Sequence, residues 1–138
     1  MKNEYKILVI GIVALLILNF FGSIGSRMLD FNYSNLSPLS YTIYGLMGFF
    51  VTKQKNLKTG ALFAAILGFS ESTVGSLVSK LFGEPNTGDL KVEMTIKIWV
   101  FMIIAVTGVA ALIGLIGGLL TKISKKKSTD VQHNDIQS

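Results

Sequence analysis

Four long stretches of this chain contain almost no charged residues, and that feature constrains the fold more than any other. The stretches cover residues 7–26, 31–52, 59–79 and 98–121, and Glu71 is the single charged residue within them. Each stretch is long enough to cross a hydrocarbon core of about 30 Å as a helix that rises about 1.5 Å per residue. The pattern therefore predicts a protein that spans a membrane four times.

Backbone hydrogen bonding decides the fold class. In lipid the backbone must satisfy its own donors and acceptors, which leaves helices or a closed barrel. A barrel would show alternating segments of about 10 residues rather than long apolar runs. We therefore predict an all-α integral membrane bundle of four transmembrane helices, in which residues 1–123 form the transmembrane domain and residues 124–138 form a disordered polar cytoplasmic tail. The predicted spans are residues 7–27, 38–53, 59–82 and 96–121.

The basic residues predict the orientation. Nine lysines precede the first span, join the second to the third or follow the fourth, whereas four basic residues lie on the other side. Because the Lys/Arg excess marks the cytoplasmic face, we expect both termini in the cytoplasm. The protein is then a multi-pass protein of the cell membrane, which in a prokaryote is the cytoplasmic membrane. These lysines flank apolar segments and form no basic face with aromatic residues. We therefore expect the lipid bilayer as a partner, and we expect no binding to nucleic acid.

The first apolar stretch has a second interpretation. A basic start, an apolar run and the small residues of the segment 22–26 are also typical of a signal peptide, with cleavage near Gly25. The run is at the upper limit of about 15 residues for such a peptide, which favours a retained span. The orientation of the remaining spans is the same in both cases.

The second span has a clear start signal and a short apolar core. Ser37 and Pro38 are typical of a helix start, as N-cap and first helical residue. Its apolar core is short, so we expect Tyr33, Tyr41 and Tyr44 to lie in the aromatic belt at the membrane interface.

Glu71 lies near the middle of the predicted third span. A charged acid at the centre of a span costs about 2.5–3.5 kcal/mol on insertion scales, so the side chain should be protonated, paired or facing water. Ser72 is adjacent in sequence, and Asn19 in the first span and Thr107 in the fourth fall at a similar depth. We therefore predict a polar cluster of Glu71, Asn19, Ser72 and Thr107 near the midplane.

Small residues recur every four positions in the third and fourth spans. The stripes include Gly68 and, beside it, Gly75 in the third span, and Gly114 and Gly118 in the fourth. Such stripes let helix backbones approach closely, either within one chain or between copies in a homo-oligomer. We predict that helices pack through these four glycines. The sequence does not decide whether the packing partner is another helix of the same chain or a second copy of the chain.

The side chains that most enzymes use are scarce. The chain has no cysteine, and its one histidine, His133, lies in the polar tail. No histidine or second intramembrane carboxylate accompanies Glu71 as a base or metal ligand. We therefore expect no catalytic residue, no metal and no cofactor, and a protein that is not an enzyme.

The segment 48–83 resembles a pattern of small prokaryotic four-span membrane proteins to which no activity is assigned. A short basic loop there leads into a Gly/Ala-rich helix with Glu71, Thr73 and Gly75 near its centre. The resemblance implies topology alone. The chain length and single membrane glutamate are also similar to those of small multidrug transporters, but their glutamate lies in the first span and Glu71 lies in the third.

Two functions are compatible with these residues. In one, a small homo-oligomeric transporter or channel moves a proton, an ion or a small cation along a path lined by Glu71. In the other, the chain is an accessory or structural membrane subunit, holin-like in size, that transports nothing and assembles with a partner membrane protein. There Glu71 would supply interhelical hydrogen bonds worth about 0.6 kcal/mol each.

Overall fold

The computed structural model of the protein describes residues 3–82 and 95–135, which are helical almost throughout. The helices are α1 (Asn3–Met28), α2 (Ser37–Gln54), α3 (Leu57–Ser70), α4 (Ser76–Phe82) and α5 (Ile96–Asp135). A short 3-10 segment, Tyr33–Leu36, precedes α2, and a π-helical segment, Glu71–Gly75, joins α3 directly to α4. Since α3, the π-helical segment and α4 form one continuous helix, four helices make up the described chain. The all-α class is confirmed.

Three of these helices are long and apolar enough to cross a membrane. They are Asn3–Met28, Leu57–Val78 and Ile96–Ser124. Helix α2, with 18 residues, is not among them. The predicted membrane-spanning character is therefore supported by helix length and hydropathy for three spans, and the fourth depends on how α2 is placed.

Consecutive helices run in opposite directions. α2 returns along α1, α3 returns along α2, and α5 runs opposite to α3. The pairs that establish these directions are Glu4 with Lys55 and Gly11 with Met47 for α1 and α2, Ser40 with Glu71 and Gly48 with Gly60 for α2 and α3, and Gly68 with Ala110 and Ala64 with Gly114 for α3 and α5.

Helices α2 and α3 form the central pair of the bundle. α1 packs on one side of this pair and α5 packs on the other, and within the described residues α1 and α5 do not contact each other. Large apolar side chains cover much of the outer surface, as at Ile10, Phe21 and Phe101, which suits a lipid environment. The buried core is formed by Leu15, Tyr44, Met47, Val51, Phe63, Ala64, Leu67 and Ala110.

The two faces of α2 explain its low hydropathy. Leu39, Leu46 and Phe50 are exposed on the outside of the bundle, whereas Ser40 and Tyr44 are buried within it. The polar side chains of Ser40 and Tyr44 are therefore buried beside the apolar Met47 and Val51, and three apolar side chains of α2 face outward. A helix with this arrangement can face lipid although its average composition is only moderately apolar.

The structure differs from the sequence prediction at the end of α5. We predicted a disordered tail over residues 124–138, and α5 continues as a helix to Asp135. No glycine or proline follows Gly118, so the sequence contains no residue that would end the helix. Hydrophobicity locates the end of an apolar segment, which is not the same as the end of a helix.

Candidate functional site

The carboxyl group of Glu71 is half-buried and receives two hydrogen bonds from α2. The Ser40 hydroxyl donates to Oε1 at 2.7 Å, and the Tyr44 hydroxyl donates to Oε2. Ser40 is 7% exposed and Tyr44 is 1% exposed. Because these two residues are four apart on α2, the helix places both hydroxyls on one face, against the start of the π-helical segment.

Asn19 of α1 lies next to the Glu71 carboxyl group. Its amide nitrogen donates to the Leu15 carbonyl at 2.8 Å. The amide oxygen accepts a hydrogen bond from the Tyr33 hydroxyl at 2.7 Å. Both ends of the buried amide are therefore used, and the side chain links α1 to the carboxyl group.

Tyr33 lies outside the long helices, in the 3-10 segment between α1 and α2. The Asn32 side chain begins this segment by accepting a hydrogen bond from the Ser34 amide at 2.9 Å. Burial raises the pKa of the Tyr33 hydroxyl to about 12, and the negative charge of Glu71 contributes to the increase. Tyr33 therefore keeps its proton over the physiological range and can serve as the donor to Asn19.

The π-helical segment holds Glu71 where α3 meets α4. Ser72, Thr73 and Ser76 donate to backbone carbonyls one turn earlier in the same helix, at 2.7–2.9 Å. Side-chain bonds of this kind compete with the backbone ladder and often bend a helix. Single π-helical turns are frequent at functional sites, which draws attention to this junction.

Gly75 lets α1 approach the π-helical segment. A Cβ atom at this position would lie 3.1–3.2 Å from three atoms of the Asn19 amide group. These distances are shorter than ordinary van der Waals contact, so even the substitution Gly75→Ala would push the Asn19 amide away. The glycine thus contributes to the position of Asn19 against Glu71.

The four residues of the predicted cluster lie in different surroundings in the structure. Asn19 lies next to the Glu71 carboxyl group. Ser72 is buried, but its hydroxyl donates to the Gly68 and Phe69 carbonyls of its own helix. Thr107 packs near Gly68, and its buried hydroxyl has no hydrogen-bond partner among the described residues. Whether these residues act together as a functional site stays a prediction.

Three further residues complete the site, and the sequence analysis missed them. We name the group of Glu71, Asn19, Tyr33, Ser40 and Tyr44 the Glu71 cluster. The predicted position of Tyr44 at the membrane interface is wrong, because its side chain is buried and its hydroxyl contacts Glu71. The spacing of Ser40 and Tyr44 was a usable signal, since polar residues four apart share one face of a helix.

The Glu71 cluster lies toward the end of the bundle formed by the loop between α1 and α2. Ser40 is in the first turn of α2, and Tyr33 belongs to the loop itself. Tyr33 therefore connects that loop to Asn19, which lies next to the carboxyl group. The midplane position of the cluster stays a prediction.

The four predicted packing glycines all contact neighbouring helices or loops of the same chain. Gly68 faces Ala110, Gly75 faces Asn19, Gly114 faces Ala64, and Gly118 faces Thr52 and Leu57. These contacts occupy the glycine faces within one copy of the chain. No family model, no curated protein and no solved structure matches this chain.

Proposed function

We propose that this protein spans the membrane four times and moves protons or small cations, with Glu71 as the residue that binds and releases them. One observation carries the proposal. The Glu71 carboxyl group accepts hydrogen bonds from two hydroxyls, and no ion pair to it occurs within the described residues. An acid that neutral donors position without a counter-charge is available to a proton or a cation.

Protons or cations would reach Glu71 from the end of the bundle that carries Tyr33, where the hydroxyls of Tyr33, Ser40 and Tyr44 lie. Hydroxyl groups both donate and accept, so Tyr33, Ser40 and Tyr44 can adapt to either protonation state of the carboxyl group. Toward the opposite end, α2 and α3 are packed through Gly48 and Gly60. Release in that direction therefore requires a movement of helices.

The place of α2 in the bundle supports the four-span arrangement. α2 returns along α1 and α3, so it crosses the same distance as they do if they span the membrane. Three of its exposed residues, Leu39, Leu46 and Phe50, are apolar, which suits lipid contact. With four spans and the lysine distribution described above, both termini face the cytoplasm. Because α1 supplies Asn19, the working protein retains its first segment.

The substitution Glu71→Gln tests the proposal. Glutamine keeps most of the hydrogen bonds and removes the titratable proton, so we expect proteoliposomes with this variant to lose proton or cation flux and its pH dependence. Circular dichroism and gel filtration should match those of the wild type. Wild-type flux at all pH values in the Glu71→Gln variant would disprove the role of Glu71.

Asp30→Asn is the matched control. This residue is exposed in the loop after α1 and has a positive φ of 50°, a conformation that asparagine tolerates well. The same change from carboxylate to amide outside the Glu71 cluster should leave flux unchanged. If both variants lose flux equally, the effect arises from net charge and not from the cluster.

A structural subunit is the second candidate, and the helix packing favours it. The backbones of α2, α3 and α5 are in close contact at several glycines, which is typical of a tightly packed bundle. In this case purified wild-type protein would show no flux, and Glu71→Gln would reduce copurification of partner membrane proteins from native membranes. Flux by the wild-type protein alone would exclude this alternative.

A further inference from the structure

One end of the bundle is strongly basic. The start of α1, the loop between α2 and α3, and the end of the apolar part of α5 lie at this end, and their segments 3–6, 53–58 and 122–127 contain eight lysines and one acid. The acid, Glu4, is paired with one of these lysines, Lys55. Four other lysines are exposed and form no ion pair within the described residues, namely Lys6, Lys53, Lys58 and Lys122. This end therefore carries a large excess of positive charge.

Helix packing brings the lysines of α2 and α5 together. The Thr121 hydroxyl of α5 donates to a backbone carbonyl of α2 at 3.1 Å, and Gly118 of α5 lies against Thr52 of α2. Lys122 and Lys53 are the next residues after these contacts on the two helices. Three more lysines follow within the next two turns of α5. Two groups of positive charge therefore meet where α2 ends beside α5.

The outer surface of both helices changes from apolar to basic within one turn. Phe50 and Lys53 are three residues apart on α2, and Leu119 and Lys122 are three residues apart on α5. Residues at this spacing share one face of a helix. Phe50 and Leu119 are 46% and 47% exposed, so each exposed lysine follows an exposed apolar side chain. This order matches a bilayer, in which the hydrocarbon core ends at the layer of phosphate groups.

We propose that the end of α2 beside α5 binds one phospholipid that carries two phosphate groups. One phosphate would contact Lys53, the other would contact Lys122, and the acyl chains would lie against Phe50 and Leu119. Lysine binds phosphate as a point charge, and basic sites between transmembrane helices bind anionic headgroups. Two groups of lysines on neighbouring helices suit a headgroup with two negative charges better than a headgroup with one.

This lipid site is separate from the Glu71 cluster. It lies at the opposite end of α2, since Ser40 in the first turn of that helix contacts Glu71 and Lys53 is in its last turn. The inference requires that α2 and α5 cross the membrane together. It does not depend on transport of protons or cations.

Native mass spectrometry of the detergent-solubilised protein with cardiolipin, a lipid with two phosphates, tests the proposal. The reference lipids are phosphatidylglycerol, with one phosphate and one negative charge, and phosphatidylcholine, with no net charge. We expect one cardiolipin to bind at least about fivefold more tightly than phosphatidylglycerol, because the second phosphate engages a lysine worth about 1 kcal/mol. Phosphatidylcholine should bind most weakly.

Substitution of single lysines shows where the lipid binds. Lys53→Gln and Lys122→Gln each remove one positive charge, and each should weaken cardiolipin binding about fivefold. Lys97→Gln is the matched control, because this exposed lysine lies in the first turn of α5, at the other end of the helix. It should have no effect. Arginine in place of Lys53 or Lys122 keeps the charge and should retain binding, which separates loss of charge from damage to the fold.

Three results would overturn the inference. Equal binding of cardiolipin and phosphatidylglycerol would mean that the lysines attract anionic lipid without binding a pair of phosphates. Equal binding of all three lipids would mean that the lysines act in membrane orientation alone. A loss of binding in Lys97→Gln as large as that in Lys122→Gln would mean that the lipid binds elsewhere. Glu71→Gln should bind cardiolipin as the wild type does, so a failure of the proposed transport leaves this inference intact.

Discussion

The two sides of the central α2–α3 pair are held together by different interactions. On the α5 side, Gly48 and Gly117 lie directly against the backbones of Gly114 and Gly45. On the α1 side, the contacts at both ends are polar. The Glu4 carboxylate meets the Lys55 ammonium group at 3.3 Å near the loop between α2 and α3, and Asn19 meets the Glu71 cluster near the other end.

This difference indicates which part of the bundle can move. Backbones in direct contact cannot shift without overlap, because no side chain can change its rotamer to make room. Hydrogen bonds between side chains can exchange partners at small cost, and sliding of packed helices is a common form of conformational change. We therefore expect α2, α3 and α5 to behave as one rigid unit and α1 to shift against it, with Glu71 at the moving interface.

The largest predicted effect tests the rigid side. In Gly48→Ala the new Cβ atom would overlap the Gly114 backbone, and the two helices must separate to admit it. We expect a loss of about 3 kcal/mol or more in the free energy of unfolding, at the upper end of overpacking effects. Equilibrium unfolding of the detergent-solubilised protein measures this loss.

Gly108→Ala provides the control for the same chemical change. A Cβ atom at this position would meet no other atom within 4 Å. Its stability should equal or slightly exceed that of the wild type, since alanine is the better helix former. If Gly48→Ala is tolerated as well as Gly108→Ala, the α2–α5 contact is not rigid and the contrast between the two sides is lost.

The second prediction concerns the polar side. Asn19→Leu keeps the branched shape of the side chain but leaves the Tyr33 hydroxyl without its acceptor. We expect a loss of about 2 kcal/mol, as for a buried polar group without a partner. Asn35→Leu, at an exposed position of the loop, should change stability by less than about 0.5 kcal/mol. Equal stability of the two variants would show that hydrogen bonds do not hold α1.

The sequence could predict the position of a residue along its helix but not the direction in which its side chain faces. The charge-free stretches located the helices, and the single acid in a span identified Glu71. Asn19 and Thr107 fall at similar depths, yet Asn19 faces the carboxyl group from α1 while Thr107 belongs to α5, across the central pair. Depth follows from counting residues along a helix, whereas direction depends on how separate helices pack.

Tyr44 shows a second limit of sequence interpretation. A tyrosine near the end of an apolar segment suits the membrane interface, where its hydroxyl reaches water. It suits a buried acid equally well, because the same hydroxyl can donate to a carboxylate. Only the position of Glu71 on the neighbouring helix decides between these environments, and a single sequence does not contain that information.

The third prediction combines a substitution with alkaline pH. Tyr33→Phe removes the donor to Asn19 and should lower stability by about 1 kcal/mol at pH 8. The folded-state pKa of Tyr33 is raised from 10.0 to about 12. Between these values the unfolded chain releases the phenol proton and the folded chain keeps it, so the folded state loses stability as pH rises.

The wild type should therefore lose its advantage over Tyr33→Phe as pH rises above 10. Unfolding of both proteins at pH 8 and pH 11 measures the change, and Tyr5→Phe, which alters an exposed tyrosine of α1, is the control. A stability difference that grows between pH 8 and pH 11 would mean that Tyr33 ionises more readily in the folded protein. In that case its hydroxyl would not be the buried donor to Asn19.

The smallest effect is expected where α1 meets the loop between α2 and α3. Lys55 keeps 45% of its side chain exposed, so the ion pair with Glu4 competes with water and should contribute about 0.5 kcal/mol. A double-mutant cycle with Glu4→Gln and Lys55→Met measures the coupling, which should fall further in high salt. A coupling above about 1 kcal/mol that persists in salt would show that this end of α1 is fixed. Movement of α1 would then be confined to the end that carries Asn19, which would place the flexible part of the helix at the Glu71 cluster.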